Sequence, residues 1–476
     1  MSMQTETETE LELASRVLEL ARASAGPSAD VDVSVNRVAL ALTRFANSYI
    51  HQNVADTTTE VQLRIHSEGR TTSASSTLVG ADALREMVER TVAAAKVSPL
   101  DPGWPGLIGP TPVLPSHDVD QAIIEASPAD RASRVRDYIE AVGDLTAAGF
   151  FRTRYWTTAY ANTAGQAVSG SCTEAALDAI AKTASLSDGV TRQASRRIAD
   201  IDGAVHGARA AAKARAWDGA VEIEPGAYEV VLEPTAVADV LYCVGHYGFN
   251  GKLVNEHQSF LKFGTQQMDA SITLIDDGVS AFAAGLPFDN EGTPRSRLVL
   301  VENGVSRNAA YDRRAAAEAG IASNGYADIE SAVFGMSPNN ISLEPSAGSV
   351  GSAGPAGSAP VEVEGPVSDS SVQALVAQVE RGLLVTDHFY TRCLDPRRVV
   401  MTGLTRNGTW LIENGEIVRP VKNMRFTQSY AEALAPGNVL AIGGHAIALP
   451  YNYGPNSATA PGLRLAAWKF TGGASG

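Results

Sequence analysis

The stretch YEVVLEPTAVADVLYCVGHYGF, residues 228–249, decides the fold. Val230-Val231-Leu232 is a short apolar run, and Glu233-Pro234 follows it at once. Proline suits the first position of a helix, where its missing N–H costs no intrahelical bond. From Thr235 to about Phe249 apolar residues recur at helical spacing. A short strand running directly into an apolar helix opens a new region, because the chain differs in character on its two sides.

Downstream, short strands alternate with turn signals. Ile272 to Leu274, Arg297 to Val301, Val399 to Leu404 and Thr409 to Ile412 read as strands. Asp276-Asp277-Gly278, Glu302-Asn303-Gly304 and Glu413-Asn414-Gly415 read as hairpin-type turns. Residues 345–366, rich in Ser, Gly, Ala and Pro, read as a solvated loop.

Upstream, helical spacing covers Leu11 to Ala23, Ala81 to Lys96, about Ala129 to Ala148, and Val205 to Trp217. Strand-like alternation covers Val31 to Thr43, Glu60 to His66, Phe150 to Ser169, Thr183 to Ser187 and Gly189 to Ser195. No internal repeat is visible. The expected class is α+β: an N-terminal α/β region of strands and flanking helices, then a mostly β, barrel-like antiparallel C-terminal domain. The expected boundaries are 1–110 for an N-terminal α/β segment, 111–224 for a middle helix-plus-sheet segment of the same domain, and 225–476 for the β domain.

The 476 residues suffice for two or three globular cores, and 44% of them are hydrophobic. A formal charge of −15 with no Lys/Arg cluster argues against binding a nucleic-acid backbone. Cys172, Cys243 and Cys393 are odd in number and far apart, which fits a reducing compartment better than a disulfide framework. The acidic N-terminus lacks the basic start of a secretory signal, and no run of eighteen apolar residues could span a membrane. The expected location is cytoplasmic, with neither nucleic acid nor membrane as partner.

Several blocks, in order, resemble the TldD/PmbA family, once called modulators of DNA gyrase. Leu42-Thr43-Arg44-Phe45-Ala46-Asn47-Ser48, with Ile50-His51-Gln52-Asn53, looks like its opening strand. Val231-Leu232-Glu233-Pro234 leads into the helix where its peptidase members carry HExxxH. Leu274-Ile275-Asp276-Asp277-Gly278 and Pro287-Phe288-Asp289-Asn290-Glu291-Gly292-Thr293-Pro294 look like its D-D-G and F-D-x-E-G signatures. Gly382 to Thr386, and Ile412 to Ile417 with Pro420-Val421, look like its closing segments.

In the peptidase members two histidines bind zinc, a glutamate handles the water proton, and a further ligand comes from the C-terminal region. Alignment places that motif on Leu241-Tyr242-Cys243-Val244-Gly245-His246, where only His246 survives. Leucine offers no lone pair, and tyrosine, with a reference pKa of about 10, is a poor base at neutral pH. Leu241 and Tyr242 therefore read as packing. The pattern resembles the TldE (PmbA) branch, whose members lack the motif and pair with a TldD-type subunit that keeps it. The resemblance implies no catalytic residue and no cofactor in this chain, zinc in the partner, and unfolded peptides such as leader segments or antitoxins as substrates. A homodimeric peptide-binding protein is the reading without such a partner.

One rearranged metal site stays open. Cys243 and His246 are three apart and share a helix face, and His445 falls near the family's late ligand, so Cys243, His246 and His445 could hold zinc. Asp387-His388 could touch a ligand or simply be exposed. Asp276 and Asp277 read as a turn rather than a paired-carboxylate site.

Overall fold

The computed structural model describes residues 8–280, 283–328, 331–345, 365–450 and 456–473. The first helix, α1 (Glu10–Ala25), starts where Thr9 and Glu12 form a capping box, each side chain accepting from the other's backbone N–H. It leads into β1 (Asp30–Ala46), β2 (Tyr49–Ser67), β3 (Arg70–Ser76) and α2 (Ala81–Ala95). After a short α3 (Gln121–Ile124) come α4 (Pro128–Val142), β4 (Thr146–Asn162), β5 (Ala167–Lys182), β6 (Asp188–Ser195) and α5 (Gly203–Ala216). The order helix, three strands, helix thus occurs twice. The six strands form one antiparallel sheet in the order β3-β2-β1-β4-β5-β6, and the two units meet where β1 pairs with β4. This repeat of topology is carried by backbone pairing alone, so the sequence does not display it.

The helices cover one face of that sheet. Val31, Val33, Val35, Val61, Leu63 and Ile65 point into a core with α1 and α2; Phe45, Phe151 and Leu177 point into another with α4 and α5. Alternation puts Asp32, Ser34, Gln62 and Arg64 on the opposite face, toward the second half of the chain.

That half is built on β7 (Gly226–Leu232) and α6 (Pro234–Gly248), followed by α7 (Gly251–Asn255), β8 (Leu274–Asp276), β9 (Leu298–Glu302), β10 (Val305–Ser306), α8 (Arg313–Ala319) and α9 (Ser331–Phe334). Then come β11 (Asn340–Leu343), α10 (Ser370–Val376), β12 (Arg381–Asp395), β13 (Val400–Glu413) and β14 (Glu416–Pro420). The described chain closes with β15 (Met424–Ser429), α11 (Tyr430–Ala433), β16 (Val439–Pro450) and β17 (Ser457–Gly473). Strands β7, β12, β13, β15 and β17 close into a ring, because β17 pairs with both β15 and β7. The fold is α+β with a barrel-like second domain. Its ring is antiparallel except where β7 runs parallel to β12. Helix α6 packs its Val237, Val240, Leu241 and Val244 into the barrel's core.

Five local expectations change, the first being Thr183 to Ser187, which is the turn between β5 and β6 and not a strand. The helix expected over 129–148 stops at Val142, where Gly143 at φ 73 caps it, and β4 begins at Thr146. Phe150 to Ser169 is two strands, reversed after Asn162, and β5 runs on to Lys182. Asp276-Asp277-Gly278 is no hairpin turn: Asp276 is buried at the end of β8, where it accepts hydrogen bonds from Tyr326 Oη at 2.7 Å and the Asn340 N–H at 2.6 Å. The two strands expected at 399–404 and 409–412 are one, β13. Asn407 (φ 56) and Gly408 (φ 123) form a bulge against β12 instead of ending it. The loop expected at 345–366 lies, apart from its ends, outside the described residues. Among the described residues no helix is long and apolar enough to cross a membrane.

Candidate functional site

Helix α6 has two faces with different fates. Leu241 is 1% exposed and sits in the barrel core with Val237 and Val244. Tyr242, Cys243, His246 and Tyr247 turn instead toward a cavity of about 610 Å³. Its other walls come from Asp328, from Phe334, Gly335 and Ser337 to Asn339, from Thr391 to Cys393, and from Met401 and Asn456.

His246 Nδ1 lies 3.0 Å from Ser337 Oγ, and its ring meets Tyr247 edge-on at 4.7 Å. Burial lowers the His246 pKa, so the imidazole is held neutral at physiological pH. Burial pushes the Cys243 thiol well above its ordinary pKa, and the neighbouring Asp239 charge adds to this. Burial also raises Cys393, across the cavity. These thiols are protonated near neutrality and are not activated nucleophiles.

The structure brings Cys243 and His246 to one wall but leaves His445 out of it. His445 is buried on β16, where pairing with β17 slips between Ile442 and Ala446. Among the described residues no three His, Cys, Asp or Glu side chains gather as a metal-ligand set. The Cys243/His246/His445 set is therefore not assembled.

One constellation around α6 is not evident from sequence. Asp239 Oδ2 accepts from Tyr430 Oη at 2.7 Å and Thr391 Oγ1 at 3.2 Å, and lies 3.2 Å from His388 Nδ1. His388, read as exposed or ligand-touching, is buried, its ring 4.6 Å from Phe426 and 5.1 Å from Trp468. Asp387 is buried too, accepting from Arg192 Nη1 at 2.6 Å and Asn407 Nδ2 at 3.2 Å. The partners of both residues lie far away in sequence, which is why local pattern could not reveal them.

A strand running into an apolar helix, a closed five-strand ring and the Cys243/His246 face on the cavity wall all lie within one match. Residues 225–472, just over half of the chain, fit the model of the PmbA/TldA metallopeptidase C-terminal domain. The chain belongs to the PmbA/TldD family.

An uncharacterized protein of Methanocaldococcus jannaschii is 39% identical over 101 residues, which are 21% of this chain and 24% of that one. The match thus spans about a quarter of that relative's length. Three solved structures share the fold at 18% identity. TldE of Thermococcus kodakarensis aligns with a TM-score of 0.81 over 97% of this chain and 100% of its own. A protein described as a modulator of DNA gyrase from Thermotoga maritima gives 0.78 over 97% and 99%. One described likewise from Bacteroides thetaiotaomicron gives 0.77 over 98% and 100%.

In this PmbA/TldD-family chain the F-D-x-E-G signature has a legible physical role. Asp289 Oδ1 accepts the N–H groups of Glu291 and Thr293 at 2.9 Å, and its Oδ2 accepts from Ala327 at 2.8 Å, which fixes the turn. Glu291 then projects into a second cavity, of about 460 Å³, between the polar face of the N-terminal sheet and the barrel domain. There Arg64 Nη1 donates to Glu291 Oε1 and Arg64 Nε to Asp32 Oδ2, both at 2.9 Å.

Asp312, on the same cavity, carries a pH consequence. It is pushed up to about 6, chiefly by burial and further by the Glu291 charge. A carboxyl that is more basic folded than unfolded binds more protons in the native state between about pH 4 and 6. The contribution of Asp312 to stability then falls as pH rises through that window, by up to about 3 kcal/mol for two pKa units. Asp312 Oδ1 accepts from the Ala315 N–H at 2.7 Å, a cap that asparagine can also make. In Asp312→Asn, the urea-unfolding stability at pH 6.5 minus that at pH 4.5 is expected to be more positive than in the unmodified protein. An unchanged difference would refute this assignment.

Proposed function

We propose that this chain is a non-catalytic, TldE-type subunit. It pairs in the cytosol with a TldD-type subunit that carries HExxxH and the zinc, and together they degrade or trim unfolded peptides. The observation that supports this most directly is the fate of α6: the side chain at the first ligand position, Leu241, is committed to the barrel core. Tyr242 occupies the position of the general base and has no carboxylate to offer. His246, neutral and within hydrogen-bonding distance of Ser337, has no ligand set around it among the described residues.

Loss of the metal site need not mean loss of a peptide surface. The cavity against α6 is walled by Tyr242, Tyr247, Phe334 and Met401 and by polar Ser337, Asn339 and Asn456. Such a mixture suits an extended chain held by its main-chain amides with few demands on its side chains. The subunit would complete the chamber around the partner's zinc and restrict entry to unfolded substrates.

The test is to purify the chain alone and with an HExxxH-bearing family member from the same genome, then measure zinc and the cleavage of unfolded casein. The chain alone is expected to carry no stoichiometric zinc and to cleave nothing, while the pair cleaves and holds one zinc. Stoichiometric zinc and cleavage by the chain alone, both lost in His246→Ala, would overturn the proposal and establish an independent metallopeptidase.

A further inference from the structure

A separate cavity of about 320 Å³ opens on the helical face of the N-terminal sheet, lined entirely by residues 39–155. Its floor is made of short side chains: Ala41 pairs with Ala55 on β2 and with Thr153 on β4. Alternation points these residues to the face that carries α4, and their small size leaves the space unfilled. Ile123 and Arg131 contribute to the wall on the α3–α4 side.

Arg131 is the unusual member. It is 1% exposed, among the largest fully buried side chains of the molecule. Its Nη1 donates to the Ala126 carbonyl at 2.7 Å, which satisfies one of five N–H groups but none of the charge. Its Nε is buried and has no hydrogen-bond partner among the described residues. Asp130, its neighbour in sequence, is turned away into the capping box with Ser127. Asp56, on the cavity's rim, is exposed and accepts the Thr58 hydroxyl. Burial lowers the pKa of Arg131, and the Asp130 charge opposes this without reversing it. A guanidinium held this way normally has an anion to fork against.

We propose that this cavity binds a carboxylate carried on a small apolar body, with Arg131 taking the carboxylate and the alanine floor and Ile123 taking the apolar part. The volume lies at the small end for ligand sites and admits a group of a few carbons. Two sources share that chemistry: a short-chain acyl acid, and the C-terminal residue of a peptide with an apolar side chain. The site is distinct from the α6 cavity and does not depend on the subunit reading, since its test needs neither a partner nor zinc.

The experiment titrates the full chain with hexanoate and hexanamide, and with Ala-Ala-Leu as free acid and as amide, by calorimetry. At least one acid is expected to bind at least about tenfold more tightly than its amide, as a charge-assisted pair with arginine implies. Tighter binding of the peptide acid identifies a peptide C-terminus; tighter binding of hexanoate identifies a small acyl acid. Arg131→Met is expected to reduce the acid to the level of its amide. Acid and amide binding alike, or neither binding at about 10 mM, overturns the proposal, and the wild-type comparison decides this even if the variant does not fold.

Discussion

Replacing Lys213 with methionine is expected to destabilise the fold by about 3–5 kcal/mol, the range for orphaning one member of a buried ion pair. Lys213, near the end of α5, donates to Glu233 Oε2, and both side chains are buried. Glu233 stands at the N-cap of α6, where its Oε1 also accepts from the Ser368 N–H at 2.6 Å. The pair therefore joins the last helix of the N-terminal domain to the helix that walls the candidate site. Without the ammonium, the carboxylate must stay charged in a dry place or take up a proton. Burial lowers the pKa of nearby Arg209, and the Asp369 and Glu233 charges oppose that fall; this second cation places the expected cost toward the lower end of the range. Urea unfolding of Lys213→Met, Glu233→Gln and the double variant gives the answer. The double variant should recover part of the loss, since no uncompensated carboxylate remains. A cost below about 1 kcal/mol for Lys213→Met would show that the pair is not buried as described.

Glu233-Pro234 was legible as a helix start because proline and helical spacing are local signals. The ion pair beneath it was not, since Lys213 sits in what reads as an ordinary alanine-rich helix. The same division runs through the molecule. Glu302-Asn303-Gly304 and Glu413-Asn414-Gly415 are hairpin turns as read, with Asn303 and Asn414 at φ 48 and 52 and their glycines at φ 81 and 79. Asp276-Asp277-Gly278 carries the same kind of signal, yet Tyr326 and Asn340 draw Asp276 into the core from 50 and 64 residues away. On α6, spacing alone placed Cys243 and His246 on one face. It could not say that Leu241 faces the barrel interior, nor that a slip between β16 and β17 governs where His445 points. Asp239 gave no signal at all, because its meaning lies in His388 and Tyr430, 149 and 191 residues distant. Periodicity reports which face is buried; it does not report what the buried face meets.

Arg64→Ala is expected to cost about 3–5 kcal/mol and to loosen the seam between the two domains. Arg64 on β2 holds two buried carboxylates at once, Asp32 from the neighbouring strand and Glu291 from the F-D-x-E-G turn. Its guanidinium also lies 5.1 Å from the centre of the Trp104 ring, whose other neighbour is the stacked His66 at 4.8 Å. Burial already raises the pKa of Asp32, and the Arg64 charge is what opposes that rise. Removing the guanidinium leaves two like charges facing each other across the domain boundary. They can separate, by opening the seam, or one can be protonated. The two responses are distinguishable. If the carboxylates take up a proton, the loss of stability in Arg64→Ala should shrink as pH is lowered from 7 toward 5, because protonation then neutralises what the arginine did. If the seam opens, amide hydrogen exchange should quicken along Glu291 to Thr293, where Asp289 holds the turn, while α4 and α5 stay protected. An alanine variant that matches the parent in both stability and exchange would show that the signature's glutamate does not tie the domains together. Because Asp289 fixes the turn and Glu291 reaches across the seam, the F-D-x-E-G signature is explained as architecture, and its presence needs no catalytic role.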